Sequence, residues 1–422
     1  MAPSSVSAEL DSLLAAARPL LREEYDSVDE RLPSLLAALR ERGAGENWHK
    51  DGNFVEHLYG TYRTLKQWGA PPEICRCGLF HSAYATSYLN HALFDHDAAG
   101  RELVRGHIGE AAERLVHLFH VAPRQKLVHD VLLANYSDEE LVDHVAASSR
   151  DVVVDDVDQP WRKKLSSILP AGGVAVKKKA KTGDDDDLDL HLSRRVVALL
   201  LLFTMADYAE EMFGFQDEMY ENSNGKMDFS GGNFLALWPG EAKPGLWVNM
   251  VSRAGALYNL IAREEQLFIA ERKRAGGISV DRDRDEEIEL VVPPIFDHCT
   301  KVLGAEEQIV ARDKYWEAVC GNASEKKNDV EKLLVESLGK NPYLGDPYLV
   351  LGQVYLGRGR FEAAERAAAE GLELLLQWGT PWDKRVSWEG WVAWGRVLLM
   401  KAQLKSWPPA QWGVHRLGAR KD

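Results

Sequence analysis

Apolar residues recur along the chain at intervals of three and four, as in Leu10, Leu13, Leu14, Ala17 and Leu21, and again in Phe54, Leu58, Tyr62 and Leu65. That spacing lays them on one face of a helix. Nearly every patterned segment follows it, so an all-α fold is expected. The punctuation agrees: Asp51 and Asn53 suit a cap ahead of the second stripe, Gly69 follows its last turn, and Pro71-Pro72 stops that helix and opens a partner over about 72–88. Further helices are expected at about 102–120, 124–135, 138–147 and 191–213, the last behind the run Asp184 to Asp187, whose charge suits a helix N-terminus.

Three stretches interrupt this periodicity. Between about 150 and 188, Ala171-Gly172-Gly173, Lys177-Lys178-Lys179 and four aspartates offer little to bury, and the charge changes sign abruptly. A mobile loop is expected there. Two more breaks are expected, from Gly231-Gly232 to Pro244-Gly245 and across the charge-dense Arg272 to Glu289.

The 422 residues leave room for two or three domains. With 51 basic and 65 acidic side chains the net charge is −14, which repels nucleic acid and anionic membranes. Neither is an expected partner. Cys75, Cys77, Cys299 and Cys320 match neither a disulfide framework nor a zinc ribbon, so a reducing compartment is expected, with Cys75 and Cys77 buried as small apolar residues. Residues 1–42 carry acids throughout, unlike a signal peptide, and the longest apolar run, Val196 to Phe203, is far short of a bilayer span. A cytoplasmic location follows as an expectation.

Ten of the thirteen histidines fall between His49 and His144. Three residues combine a polar group with an apolar stripe: His57, His81 and Asp207. Asp207 is the sharpest, because Val196, Leu200, Phe203 and Asp207 share one helix face, and a carboxylate facing a core costs several kcal/mol unless paired or coordinated. His107, His117 and His120 do not share a face and are expected at the surface or boundary, while His91 and His96, near Asp95 and Asp97, are expected in a loop beside the pocket.

On these residues the chain resembles the HD superfamily, all-helical metal-dependent phosphohydrolases. Their metal is held by a histidine, a His-Asp doublet on the next helix and a distant aspartate. His57 matches the first ligand, His81 the histidine of the doublet, and Asp207, in Ala206-Asp207, the last. The stretch Gly106 to Leu115 is similar to a helix of the stringent-response pyrophosphohydrolase branch. Phe54 to Tyr62 with Gly78 to Thr86 resembles an uncharacterised group of HD-like domains of plants and bacteria, over about 48–215. The resemblance implies one divalent transition metal on His57, His81 and Asp207, and a nucleotide-like or other phosphorylated small molecule as ligand.

The chain departs from the pattern at Ser82, a neutral hydroxyl where the doublet carries its aspartate, and at Ala85 and Thr86, where the pyrophosphohydrolase branch has acids. Three readings remain open at this stage: a His–Asp core network without metal, a metal site without hydrolysis, and an active phosphohydrolase. A carboxylate at Asp95, Asp97 or Glu110 taking over from Ser82 would separate them.

Beyond Pro294 the sequence resembles the tetratricopeptide repeat. Tyr348, Leu351, Gly352, Tyr355, Gly359, Phe361 and Ala364 fall at the family's spacing, with weaker matches in Asp329 to Leu338 before them and Trp391, Trp394, Gly395 and Leu398 after. Seven of the thirteen tryptophans lie beyond Gln377, implying a packed aromatic end or a partner surface. The expected organisation is N-terminal helices over 1–46, an HD-like helical domain over 47–238 with its loop at about 150–188, and a helical region over 239–422 with repeats at about 312–402. The first functional expectation is an interaction protein that binds a protein partner through the repeat array and keeps an HD-like pocket. The second is a metal-dependent phosphohydrolase with catalytic residues unassigned.

Overall fold

The computed structural model describes residues 5–49, 52–85, 92–149, 159–178, 189–212, 243–274, 289–321 and 330–407. The fold is mostly α-helical. Helix α1 (Ser5–Leu21) and α2 (Leu32–Glu41) lead into a short antiparallel ribbon, β1 (Trp48–His49) with β2 (Gly52–Asn53), paired Trp48 to Asn53 and His49 to Gly52. Helix α3 (Phe54–Gln67) starts where the sequence places it. Asn53 Oδ1 accepts from the Glu56 amide at 3.1 Å while Glu56 accepts from the Asn53 amide, a reciprocal cap, and Gly69 leaves at φ +78°.

Helix α4 (Pro72–Phe80) is shorter than the expected 72–88. The chain turns at His81, and the Leu93 and Phe94 amides both donate to the Ala83 carbonyl, which a longer helix would use within itself. The expected helix at 102–120 is two, α5 (Ala98–Ile108) and α6 (Glu110–Val121), because Gly109 adopts φ +91° and ends the first. Asp97 caps α5 by accepting from the Gly100 amide. A run from Arg124 to Asn135 follows at the expected place, with a π-helical turn over Leu127–Leu132 at its centre. Helix α7 (Asp138–Ser148) matches expectation, with Ser137 and Glu140 forming a second reciprocal cap.

The segment expected to be a loop contains ordered elements. Helix α8 (Pro160–Ile168) buries Trp161 and Leu165, and Arg162 reaches Glu264 at 2.7 Å and Glu271 at 2.9 Å. The spacing of Trp161 and Leu165 is itself an apolar stripe, overshadowed in sequence by the lysine and aspartate runs around it. Strand β3 (Val174–Lys177) then pairs with β4 (Asp189–Leu192). The four-aspartate run lies outside the described residues, as does the Gly231-Gly232 break.

Helix α9 (Arg194–Glu211) is buried along nearly its whole length, as its unbroken apolar run demands, and is capped by Ser193. It packs against α3, α4, α6 and α10 (Trp247–Arg274). Helices α11 (Ala305–Cys320), α12 (Val330–Lys340), α13 (Gly345–Gly357), α14 (Phe361–Trp378) and α15 (Trp388–Gln403) then pack each on the next. Gly352 on α13 faces α14, and a Cβ there would already stand in van der Waals contact with the backbone at Ala364 and Ala368. Trp378, Trp382, Trp388 and Trp391 are buried. This end of the molecule docks on α3: Trp68 Nε1 donates to the Trp378 carbonyl at 3.1 Å and Arg63 Nε to the Gly379 carbonyl at 3.2 Å. Among the described residues no helix is long and apolar enough to cross a membrane.

A candidate metal centre

The structure brings His57, His81 and Asp207 together from three helices. Each is almost fully buried, at 6%, 3% and 5% exposure respectively. His57 lies on the inner face of α3, one turn past its cap; His81 is the residue on which α4 ends; Asp207 sits in the last turns of α9. His57 Nε2 is 3.3 Å from His81 Nε2, and Asp207 Oδ1 is 3.4 Å from each of those nitrogens.

The outward atoms fix the ring tautomers. His81 Nδ1 lies 2.7 Å from the Gly78 carbonyl oxygen, which can only accept, so that nitrogen carries the proton and donates. His57 Nδ1 lies 2.5 Å from Glu210 Oε2, and the same reasoning makes it a donor. In neutral rings both Nε2 atoms therefore present lone pairs to each other and to a carboxylate oxygen. Three acceptors facing one another need a cation between them. Without a metal it is a proton: burial alone would push the His57 imidazole down, but the Glu210 and Asp207 carboxylates outweigh that and hold it above the usual histidine value. Burial keeps His81 below that value despite the pull of Asp207. Burial would raise Asp207, yet His81, His57 and Arg124 hold it well below the usual carboxylate range.

A metal ion fits the same position. Atoms separated by 3.3 to 3.4 Å share a point about 2 Å from all three, the length of a transition-metal bond to imidazole or carboxylate. The outward atoms are held as such a site requires: Glu210 on His57, the Gly78 carbonyl on His81, and Arg124 Nη1 on Asp207 Oδ2 at 3.1 Å, its guanidinium 3.9 Å above the Phe119 ring. Gly60 makes the first of these geometries available. It lies one turn beyond His57, and a Cβ there would run into the Glu210 carboxyl that crosses α3 to reach the ring.

Sequence reasoning left out four participants: His49, Arg124, Glu210 and Glu211. The His49 ring packs against that of His57 at a tilt of 37°, with centroids 4.5 Å apart, and its Nε2 lies 3.4 Å from Glu211 Oε2. Together His49, His57 and Glu211 make a second group of potential ligands that shares His57. The signal for the two glutamates was present, since they follow Asp207 by three and four residues and so share its helix face. The acids weighed as replacements for Ser82 stand elsewhere: Asp97 caps α5, while neither Asp95 nor Glu110 joins a ligand group among the described residues. His91 lies outside the described residues, and His96 makes a tilted ring contact with His120. His107, His117 and His120 are half-buried, as expected for boundary positions, and Cys75 and Cys77 are buried free thiols.

The fold and the cluster define a class, a helical protein with a buried histidine–carboxylate centre. A family described as "Domain of unknown function (DUF6817)" matches residues 38–124, the part that carries His49, His57, His81 and Arg124 but not α9. Comparison with curated proteins and with solved structures finds no match.

Proposed function

We propose that the chain is a metal-dependent phosphohydrolase of HD type, with His57, His81 and Asp207 holding one divalent transition ion and a tetratricopeptide-like array at about 312–402 docked beside it. The observation that carries this reading is the meeting of two imidazole lone pairs and a carboxylate oxygen at mutual distances of 3.3 to 3.4 Å, with their outward atoms held. Two imidazoles and one carboxylate suit manganese, iron, cobalt or zinc better than magnesium. The reaction and substrate class, a nucleotide-like or other phosphorylated small molecule, follow from the HD resemblance. In that chemistry a bound ion polarises a phosphoryl oxygen and lowers the pKa of water.

The chain's own residues prepare the centre. Glu210 and the Gly78 carbonyl lock the two rings with Nε2 inward, Asp207 is kept ionised by His81, His57 and Arg124 together, and burial strengthens each of these interactions. Elemental analysis of the purified full chain tests the reading. About one ion per chain is expected, His81→Ala should carry none, and phosphate release from a nucleotide and phosphomonoester panel should need the loaded form. Protein that takes up none of the four metals would reduce the cluster to a protonated core network.

A second reading, an interaction protein, draws on α15. Val397, Met400 and Leu404 stand three and four residues apart on one face, exposed at 37%, 46% and 64%. In this reading a protein partner would cover that face of α15, since α14 is already covered by α1. Loss of partner capture with Met400→Glu, and unchanged metal content, would favour it.

A further inference from the structure

Ser82 puts a neutral hydroxyl where the HD doublet has a carboxylate. It is half-buried and makes no hydrogen bond to His57, His81 or Asp207. Taken alone, the substitution leaves the ion with three protein ligands and one negative charge. Glu211 approaches the same centre from α9. Four residues past Asp207, it lies one helical turn further along the same face. Its carboxyl is nearly fully buried, and its Oε2 stands 3.8 Å from His57 Nε2.

That separation is compatible with a shared ion. Two ligand atoms each about 2.1 Å from one metal lie between about 3.0 Å apart at right angles and about 4.2 Å apart when opposed. Coordination requires the Glu211 carboxyl to swing toward His81 and Asp207. His49 Nε2, 3.4 Å from Glu211 Oε2, is placed to guide that movement. The ring is fixed in turn by the β1–β2 ribbon and by its tilted contact with the His57 ring at 4.5 Å.

We propose that Glu211 is the fourth protein ligand, doing here what the doublet aspartate does in the HD superfamily, and that His49 is its positioning residue. This rests on the metal reading above. It makes the ligand set two imidazoles and two carboxylates, each with an outer partner: Glu210 for His57, the Gly78 carbonyl for His81, Arg124 for Asp207 and His49 for Glu211. The missing aspartate is thus replaced from a different helix, and Ser82 no longer argues against metal binding.

Cobalt titration into the metal-free full chain, followed by visible absorption and calorimetry, tests the assignment without an activity assay. Glu211→Gln should weaken cobalt binding at least about tenfold and alter the absorption band, while His49→Ala should weaken it about 10- to 100-fold as loss of an outer partner does. Ser82→Asp in the Glu211→Gln background should recover part of the loss. If Glu211→Gln does not fold, Glu211→Asp decides, since the shortened arm must also weaken binding. Unchanged affinity and spectrum in these variants, with binding abolished in His81→Ala, would overturn the role of Glu211 and leave the metal reading standing. A wild-type chain that binds no cobalt would overturn both.

Discussion

Two buried polar clusters in this molecule make an instructive pair. At the C-terminal end, Asp383 accepts from Tyr315 Oη at 2.6 Å, from Arg385 Nε at 2.8 Å and from the Arg385 amide at 3.2 Å; Asp346 accepts from the Trp382 and Asp383 amides at 3.3 and 3.0 Å. Here acceptors meet donors, and the result ties α11, α13 and the segment ahead of α15 together. In the α3–α4–α9 cluster the outward atoms are equally well held, but the inward ones are acceptors facing acceptors. The first arrangement is complete as it stands. The second calls for a cation, and that difference separates a structural network from a candidate site more cleanly than burial, which the two share.

The comparison breaks most sharply at Asp383. Replacing it with Ala strands Arg385 and Tyr315 in the interior and should cost about 3–5 kcal/mol, read by denaturant unfolding, with metal content unchanged. A cost near zero would deny the network its structural role. Asp207→Ala should behave differently. Metal-free, it should lose about 1–3 kcal/mol by stranding its histidine and arginine partners, and it should abolish metal uptake as well. A variant that loses stability yet binds metal normally would erase the contrast.

Acidity sharpens the pair further. Burial and the neighbouring Asp383 push Asp346 up to about 7. The native state then holds a proton that the unfolded chain releases near pH 4, so stability should fall as pH rises from about 4 to 7 and level off above, by up to about 1.4 kcal/mol per unit. Asp346→Asn should flatten that slope in a stability–pH series; a slope that persists would remove Asp346 as its source. The candidate centre responds in the opposite sense toward metal. Its ion must displace the proton held on His57 above the usual histidine value, so affinity should weaken as pH falls through that raised range. The last substitution is at Gly60. A Cβ there would overlap the Cγ, Cδ and Oε1 atoms of Glu210, so Gly60→Ala must push that side chain off His57; it should cost about 1–3 kcal/mol and weaken metal binding about tenfold. Equal affinity in a calorimetric titration would show that Glu210 does not orient the ring.

What the sequence determined by itself is local. The spacing of Phe54, Leu58, Tyr62 and Leu65, the Asn53 cap and Gly69 specify α3, because helix periodicity and capping depend on residues within a few positions of one another. The continuous apolar run from Val196 to Phe203 specifies a buried α9, and Asp207, on the face of Val196, Leu200 and Phe203, demanded a partner. The separation of α5 from α6 at Gly109 and the early end of α4 depended on backbone conformation and on the segment at Leu93 and Phe94 that returns to Ala83, which periodicity does not register. So did α8, whose short stripe was masked by charged neighbours. Only the tertiary structure decided that His49, Glu210, Glu211 and Arg124 join the three candidates, and that the C-terminal helices dock on α3 through Trp68 and Trp378. The physical reason is that polar atoms interact over about 3 Å. Which of them come that close is set by where helices cross, here by the α3–α9 approach at Gly60, between residues some 150 positions apart in the chain.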